Sequence, residues 1–285
     1  MIDFPLLALF FVVAVLHSSV GLAGGSSYTA FMAIFGVPLP TIPSISLSLN
    51  TLVSSIGSIN FYRYRHFEWR LWLPIQLTAL PFVYVGSRIQ LPAKAFYVVL
   101  LVTLLFSLWR MAKMTFATTD ASFDGSDTGS TPSLPQSSSS KALPSNSKLN
   151  NVKTIGSPTS LSLRLALCTL LGAVLGFLAG SIGIGGGIYL VPSLVLLNLA
   201  SVRQASAVGV VFILCNSLVG LASKWQLGMV SLSMIMPALM VVGMGGAIGS
   251  YLGASRLPTR YVLMALMGVM ALASGLLMVK LVQIF

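Results

Sequence analysis

The residues best suited to chemistry in this chain are two glycine-rich runs in apolar sequence. One comprises Gly21, Gly24 and Gly25 followed by Ser26 and Ser27; the other comprises Gly183, Gly185, Gly186 and Gly187. Glycine lets a backbone leave helical geometry and lets another group come close. A helix that restarts after such a break presents amides with no partner inside the helix, together with the positive end of its dipole. Such an end attracts an anion without any charged side chain. One run alone would read as helix packing, because small residues let membrane helices approach closely. Two runs at matched positions make Gly24, Gly25, Ser26, Ser27, Gly185, Gly186 and Gly187 candidate substrate-binding residues. A dinucleotide-binding reading fails, because no strand–helix unit surrounds the glycines.

Polar residues follow each run at a similar distance. Ser44, Ser46, Ser48, Asn50, Thr51, Ser54 and Ser55 lie in the first half, and Ser206, Asn216 and Ser217 in the second. Their hydroxyls and amides are donors for an oxyanion, although serine also bonds back to its own helix. Asn50, Asn216 and Ser217 join the candidate substrate contacts, the amides because an amide in lipid requires a partner. His17 lies one turn before the first run and is a candidate coupling group or substrate contact, as ionisable groups at membrane depth are functional by default. The matching position, Ala179, has no ionisable group. Arg203 and Lys224 flank a long apolar segment, as interfacial anchors or as guides for substrate.

What is missing narrows the chemistry. The acids are Asp3, Glu68, Asp120, Asp124 and Asp127, and none falls in an apolar segment. A cation pathway places carboxylates within the membrane. No triad, carboxylate pair or metal cluster points to an enzyme, and the residues call for no cofactor and no metal. Cys168 and Cys215 form no C-x-x-C pair and read as small buried hydrophobes.

The elements that position these residues are membrane segments. No Asp, Glu, Lys or Arg occurs in residues 4–62, 165–202, 204–223, 225–255 or 261–279. Roughly 20 apolar residues suffice for a crossing. Charged residues make up 7% of the chain, against about a quarter in soluble domains. The expected fold is an all-α, polytopic transmembrane bundle with 8–10 membrane segments and glycine-broken helices. Segments are expected at 4–22, 25–37, 43–62, 70–88 and 94–113, then at 163–182, 186–200, 203–224, 229–253 and 258–283. The second of each set is short for a crossing and reads as a tilted short helix or one arm of a re-entrant hairpin. The start of the chain lacks a basic region and reads as a retained first helix.

A Ser-, Thr- and Pro-rich stretch at 117–160 has a disordered linker's composition and divides an N-terminal repeat, 1–116, from a C-terminal one, 161–285. A shift of 162 positions places Gly21, Gly24 and Gly25 on Gly183, Gly186 and Gly187, Ser19 on Ser181, and Ser55 on Ser217. Leu91 and Pro92 correspond to Leu257 and Pro258.

The net charge of +11 follows the connections between segments, as topology signals do, and does not imply nucleic acid. If the segments alternate sides, twelve Lys and Arg collect on one side; Arg88, Lys94, Lys224 and Lys280 collect on the other. The richer side is expected to be cytoplasmic. Both termini are then outside the cytoplasm and the linker at 117–160 is inside. Each half makes an odd number of effective crossings, so the two are expected to be inverted repeats, a common transporter construction.

At the paired glycine runs the sequence resembles the TauE/SafE family of sulfite exporters and related anion permeases. The resemblance covers about residues 5–115 and 163–283. Ser-rich third segments, the loops bearing His66 and Gly228, and Gly86 and Gly249 before the last spans support it. The first run departs from the family's denser glycine pattern at Ala23 and Ser26. The resemblance implies transport of small sulfur-containing anions such as sulfite or organosulfonates across the cell (inner) membrane. Joined to the residue reading, it implies that two half-helix N-termini meet near the midplane and hold the anion, with alternating access and export. Export gains roughly 2.3 kcal/mol per negative charge per 100 mV when the interior is negative. An anion-selective channel and a non-transporting membrane assembly protein are the other readings. The expected partners are a small anionic substrate and the lipid bilayer.

Overall fold

The computed structural model describes residues 4–19, 23–63, 67–120, 159–197, 199–200, 202–229, 232–255 and 259–284. Among them are ten helices and no strand. They are α1 (Phe4–Ser19), α2 (Gly25–Ile34), α3 (Ile42–Arg63), α4 (Trp69–Arg88) and α5 (Ala93–Asp120). The second set is α6 (Thr159–Ile182), α7 (Gly187–Leu196), α8 (Val202–Gln226), α9 (Leu232–Ser255) and α10 (Thr259–Ile284). A helix satisfies its own backbone polar groups, which a lipid environment requires. Windows in α3 (Ile42–Ile59), α8 (Ala207–Gln226) and α10 (Met264–Gln283) are long and apolar enough to cross a membrane. The first two are 61% buried and the third 28%, so α3 and α8 are central while α10 shows apolar side chains such as Leu272, Leu276 and Val279 outward.

The expected segments are all helical, with shifted ends. The short second segments stop earlier than 37 and 200. At α2 the cause is Gly36, whose φ of +79 ends the helix, while the Val37 amide bonds Met32 O at 3.0 Å. This is a left-handed glycine cap that satisfies the last carbonyls. Gly228 at φ +67, with Met229 N bonded to Lys224 O, ends α8 in the same way. Helix α5 continues to Asp120, past the boundary expected at 116. Most of the expected linker and His66 lie outside the described residues.

Glycine contacts reveal helix directions. Along α6, Gly172, Gly176 and Gly180 lie against the carbonyls of Ile75, Ala79 and Val83 in α4, in ascending order, so the two helices run parallel. Helix α8 also parallels α4: Gln204 bonds Glu68 at one end, and Gln226 bonds Arg88 at the other. Helices α6 and α8 thus run the same way, and α7 returns the chain between them. The first half repeats the arrangement. Gly245 and Gly249 of α9 lie on Phe11 and Val15 of α1, and Gly243 and Gly246 lie on Leu52 and Val53 of α3, so α1 and α3 run the same way around α2. Ten helical residues span about 15 Å, half the hydrocarbon core. Helices α3 and α8 are antiparallel, with Leu47 against Gly220 and Val210 against Gly57.

The apolar core has a cluster around each short helix, and the first also takes in Ile182 and Ile184 beside the second break. Tyr28, Phe31 and Met32 of α2 pack with α1, α3, α5, α9 and α10. Leu190, Val191 and Leu194 of α7 pack with α4, α6 and α8. The polar positions of the glycine runs lie where these two bodies meet.

Candidate functional site

The first break separates α1 from α2. Gly24, just before α2, has an ordinary φ of −75. Gly25 requires its missing side chain, because a Cβ there would collide with the Asn50 carboxamide. The Tyr28 amide bonds Gly24 O at 3.0 Å. The amides of Gly25, Ser26 and Ser27 precede it as first-turn donors that no carbonyl of the helix can reach. One turn into α2, Thr29 donates to Ser46 Oγ at 2.9 Å.

The second break is built on backbone freedom. Gly183, Gly185 and Gly186 hold φ of +84, +79 and +78, a region costly for any residue with a Cβ. Gly187 lies hard against the Ile213 side chain. The amides of Tyr189 and Leu190 both bond Gly186 O at 3.2 Å, leaving those of Gly187 and Ile188 as the first-turn donors of α7.

Helix α3 ties the two breaks together. Ser46 Oγ lies 2.8 Å from Gly183 O and 3.2 Å from Gly25 O, so one hydroxyl reaches a carbonyl of each break. Asn50 Nδ2 donates to Gly183 O at 3.2 Å. The Cβ position of Gly185 is 3.2 Å from Asn50 Nδ2 and 3.4 Å from Ser217 Oγ. Gly25 and Gly185, 160 residues apart in sequence, therefore face the same Asn50 side chain. Since α2 and α7 approach from opposite ends of the antiparallel α3 and α8, their N-termini point toward each other near the middle of these helices.

The junction is rich in donors without partners. Ser26 Oγ, Ser27 Oγ, Ser217 Oγ and Asn216 Nδ2 are buried with no protein partner. Asn216 Oδ1 accepts from Gln76 Nε2 at 2.9 Å. A buried polar group without a partner costs about 1–3 kcal/mol; these four lie on the elements that meet at the junction, where the acceptor Asn50 Oδ1 is also without a partner. Among the described residues no carboxylate enters this region; Glu68 lies at the bundle end beside Gln204. Donors without acids suit an anion and repel no negative charge.

The structure brings together Gly25, Asn50, Gly185 and Ser217 directly, with Ser26, Ser27 and Asn216 buried on the same elements. Gly24 packs instead against Tyr28 and Val13, and Gly186 against Phe212 and Leu175 O. Ser44, Ser48, Thr51, Ser54 and Ser55 differ in use: Ser48, Thr51, Ser54 and Ser55 bond back to their own helix, while Ser44 Oγ is buried without a partner. His17 is fully buried and its Nδ1 donates to Val13 O at 3.0 Å, which leaves Nε2 as an acceptor. Lys224 is only 2% exposed, unlike an interfacial anchor. The side chain of Arg203 lies outside the described residues. Gln76, Thr29 and the bridging role of Ser46 were not anticipated; an amide in the middle of apolar α4 is the same signal that singled out Asn50. Gly172, Gly176 and Gly180 were also missed, though their four-residue spacing marks one helix face.

The glycines before the last spans make matching contacts. Gly86 of α4 lies on Phe177 O of α6, and Gly249 of α9 lies on Val15 O of α1. Val15 and Phe177 are 162 positions apart, the same shift that places the first glycine run on the second.

A helical bundle with broken helices meeting at a buried, donor-lined junction is the architecture of a membrane transporter. Residues 6–278 match the family described as Sulfite exporter TauE/SafE. This chain belongs to the TauE/SafE family of membrane transporters. It is also 29% identical over 271 residues to the probable membrane transporter protein y4hK of Sinorhizobium fredii (strain NBRC 101917 / NGR234), a match covering 94% of each chain. No solved structure matches it at a significant level.

Proposed function

We propose that this protein exports small sulfur-containing oxyanions, sulfite or sulfonates, across the cell (inner) membrane. The observation that carries the reading is the double reach of Ser46 to Gly25 O and Gly183 O, which sets two half-helix N-termini around one donor-lined point. The anion is held there by first-turn amides, Ser26, Ser27 and Ser217 hydroxyls, and the Asn50 and Asn216 amides.

The two halves act as inverted repeats. This is supported by the antiparallel course of the equivalent helices α3 and α8 and by the paired contacts of Gly86 and Gly249. The body around α2 rocks against the body around α7, so that the junction opens to each side in turn. Arg88, Lys224 and Lys280 lie at one end of the bundle, the end assigned here to the non-cytoplasmic side by the positive-inside rule; the linker and the richer set of cations face the cytoplasm. With no acid at the junction, the membrane potential drives the anion outward. His17 Nε2 is the proton acceptor for any proton-coupled step.

The test is purified protein in vesicles, loaded in turn with sulfite, thiosulfate and sulfoacetate. Saturable efflux with counterflow is expected. Flux equal to that of empty vesicles rejects transport, and non-saturating flux without counterflow assigns a channel.

A further inference from the structure

A second feature lies above the second break, at the bundle end bearing Arg88. Leu39 and Pro40 before α3, Pro43 in its first turn, Gln90 and Leu91 after α4, Ser181 of α6 and Lys224 of α8 line a cavity of about 50 Å³. That volume admits about three or four waters, or one small oxyanion. Its floor adjoins the break: Ser181 is two residues before Gly183, and Pro43 lies against Gly183 itself, its Cα 2.6 Å from the Cβ position.

Lys224 makes this more than a void. It is a cation with 2% exposure, and no acid among the described residues pairs with it. A buried charge without a counter-charge is costly and is retained where a ligand supplies the opposite sign. The other polar groups do not neutralise it. Ser181 Oγ donates to Phe177 O at 2.9 Å, and the Gln90 amide reaches only Met229 Sδ at 3.9 Å. Nearby, Arg88 bonds Gln226 and Lys280 bonds the last carbonyls of α2, so these cations are already engaged and Lys224 is the one that faces the cavity. The cavity has a donor and room for a small ion, and its lining residues Ser181 and Pro43 adjoin Gly183.

We propose that the cavity under Lys224 is an outer binding site for the transported oxyanion, occupied on its passage between bulk solvent and the junction at Asn50. The proposal rests on the transport reading above. Lys224 contributes binding that is equal in the ground state and in the rate-limiting step, so its loss raises the half-saturating concentration and spares the maximal rate.

The experiment is sulfite flux against sulfite concentration in vesicles of phosphatidylcholine, for wild type, K224M and K224R of the full chain. In K224M the half-saturating concentration is expected to rise about tenfold, the size of one charge-assisted hydrogen bond, with the maximal rate retained and K224R restoring most of the affinity. An unchanged half-saturating concentration overturns the site. So does a loss confined to the maximal rate, which marks a structural lysine. The same variants in vesicles with added phosphatidylglycerol separate a lipid headgroup from free oxyanion: a K224M defect seen only with the anionic lipid assigns the cavity to headgroups and overturns the proposal. Wild-type protein with no sulfite flux above empty vesicles is a different failure; it removes the transport reading, and this site with it.

Discussion

The two glycine breaks each start a ten-residue helix, but with different chemistry. At the second, three successive structural tasks fall to left-handed glycines, Gly183, Gly185 and Gly186, and the half-helix that follows is apolar: Ile188, Leu190, Val191. Its side-chain donors come from α8, as Asn216 and Ser217. At the first, Gly24 has an ordinary φ, and Ser26, Ser27 and Thr29 bring hydroxyls on α2 itself. Gly25 is glycine to admit the Asn50 amide, whereas Gly187 is glycine to admit the Ile213 side chain. The second half-helix rests on backbone shape, with its side-chain donors on the neighbouring α8, while the first half-helix carries hydroxyl groups of its own. Two breaks thus reach a similar geometry with different residues.

The strongest way to break this comparison is to add a side chain to each copy. Gly186→Leu must force a left-handed residue to carry a Cβ, at about 1–2 kcal/mol, and must also displace the Phe212 ring or Leu175 O beside it. Sulfite binding measured by calorimetry is expected to be lost, with membrane insertion intact. Gly24→Ala, at φ −75, adds no backbone strain, and its Cβ meets the Tyr28 ring at 2.9 Å and Val13 Cγ1 at 3.0 Å. Its binding is expected to stay close to wild type. Equal losses in the two variants reject the division into shape and hydroxyls.

Next in size is the residue that both breaks share. Asn50→Ala leaves Gly183 O with Ser46 alone and removes an amide donor from the junction. A loss of about 1–3 kcal/mol corresponds to roughly a five- to 150-fold fall in sulfite affinity. Gly25→Ala is expected to mimic it, because its Cβ pushes the same carboxamide away. If Gly25→Ala is silent while Asn50→Ala is not, the contact between the breaks carries no function.

These residues also show what a sequence can reveal. The ten segments were legible because absence of charge over long stretches leaves few alternatives to membrane helices. Gly25 and Asn50 could be singled out because glycine and amides are expensive in apolar helices and must have a reason. What was hidden is the pairing. Nothing in the spacing says that Ser46 reaches both Gly25 O and Gly183 O, since one partner is 137 positions away. Gln76 was hidden for the same reason: its partner is Asn216, across the other half of the chain. The ends of α2 and α7 were misjudged because apolar sequence continues past the point where Gly36 turns the backbone at the first of them. Lys224 read as an anchor or a guide for substrate because a lysine near a helix end usually snorkels, and only its packed surroundings show how deeply it is buried.

A smaller pair of changes sharpens the comparison within the donors. Ser217→Ala and Ser27→Ala each remove a buried hydroxyl with no protein partner. Each is expected to weaken sulfite binding by about 0.5–1.5 kcal/mol, roughly two- to tenfold, and neither should destabilise the fold, since no internal hydrogen bond is lost. A gain in thermal stability without a loss of affinity would mark the hydroxyl as an idle buried group.

The smallest expected effect on binding tests the far end of α2. Lys280 Nζ donates to Ala33 O at 2.7 Å and to Ile34 O at 2.9 Å, the last carbonyls of the half-helix, where a cation also complements the dipole. Helix α7 closes with backbone bonds from Leu197 to Ser193 O and from Leu199 to Leu194 O. The half that carries hydroxyls is therefore fastened from outside by α10. Lys280→Met should cost about 1–3 kcal/mol of stability, a fall of about 2–4 °C per kcal/mol in the melting temperature, while sulfite affinity stays within about twofold because a terminal charge acts mainly on its own turn. A large affinity loss with unchanged melting would mean that the charge at one end of α2 is felt at the other, and the two ends of the half-helix would have to be treated as one site.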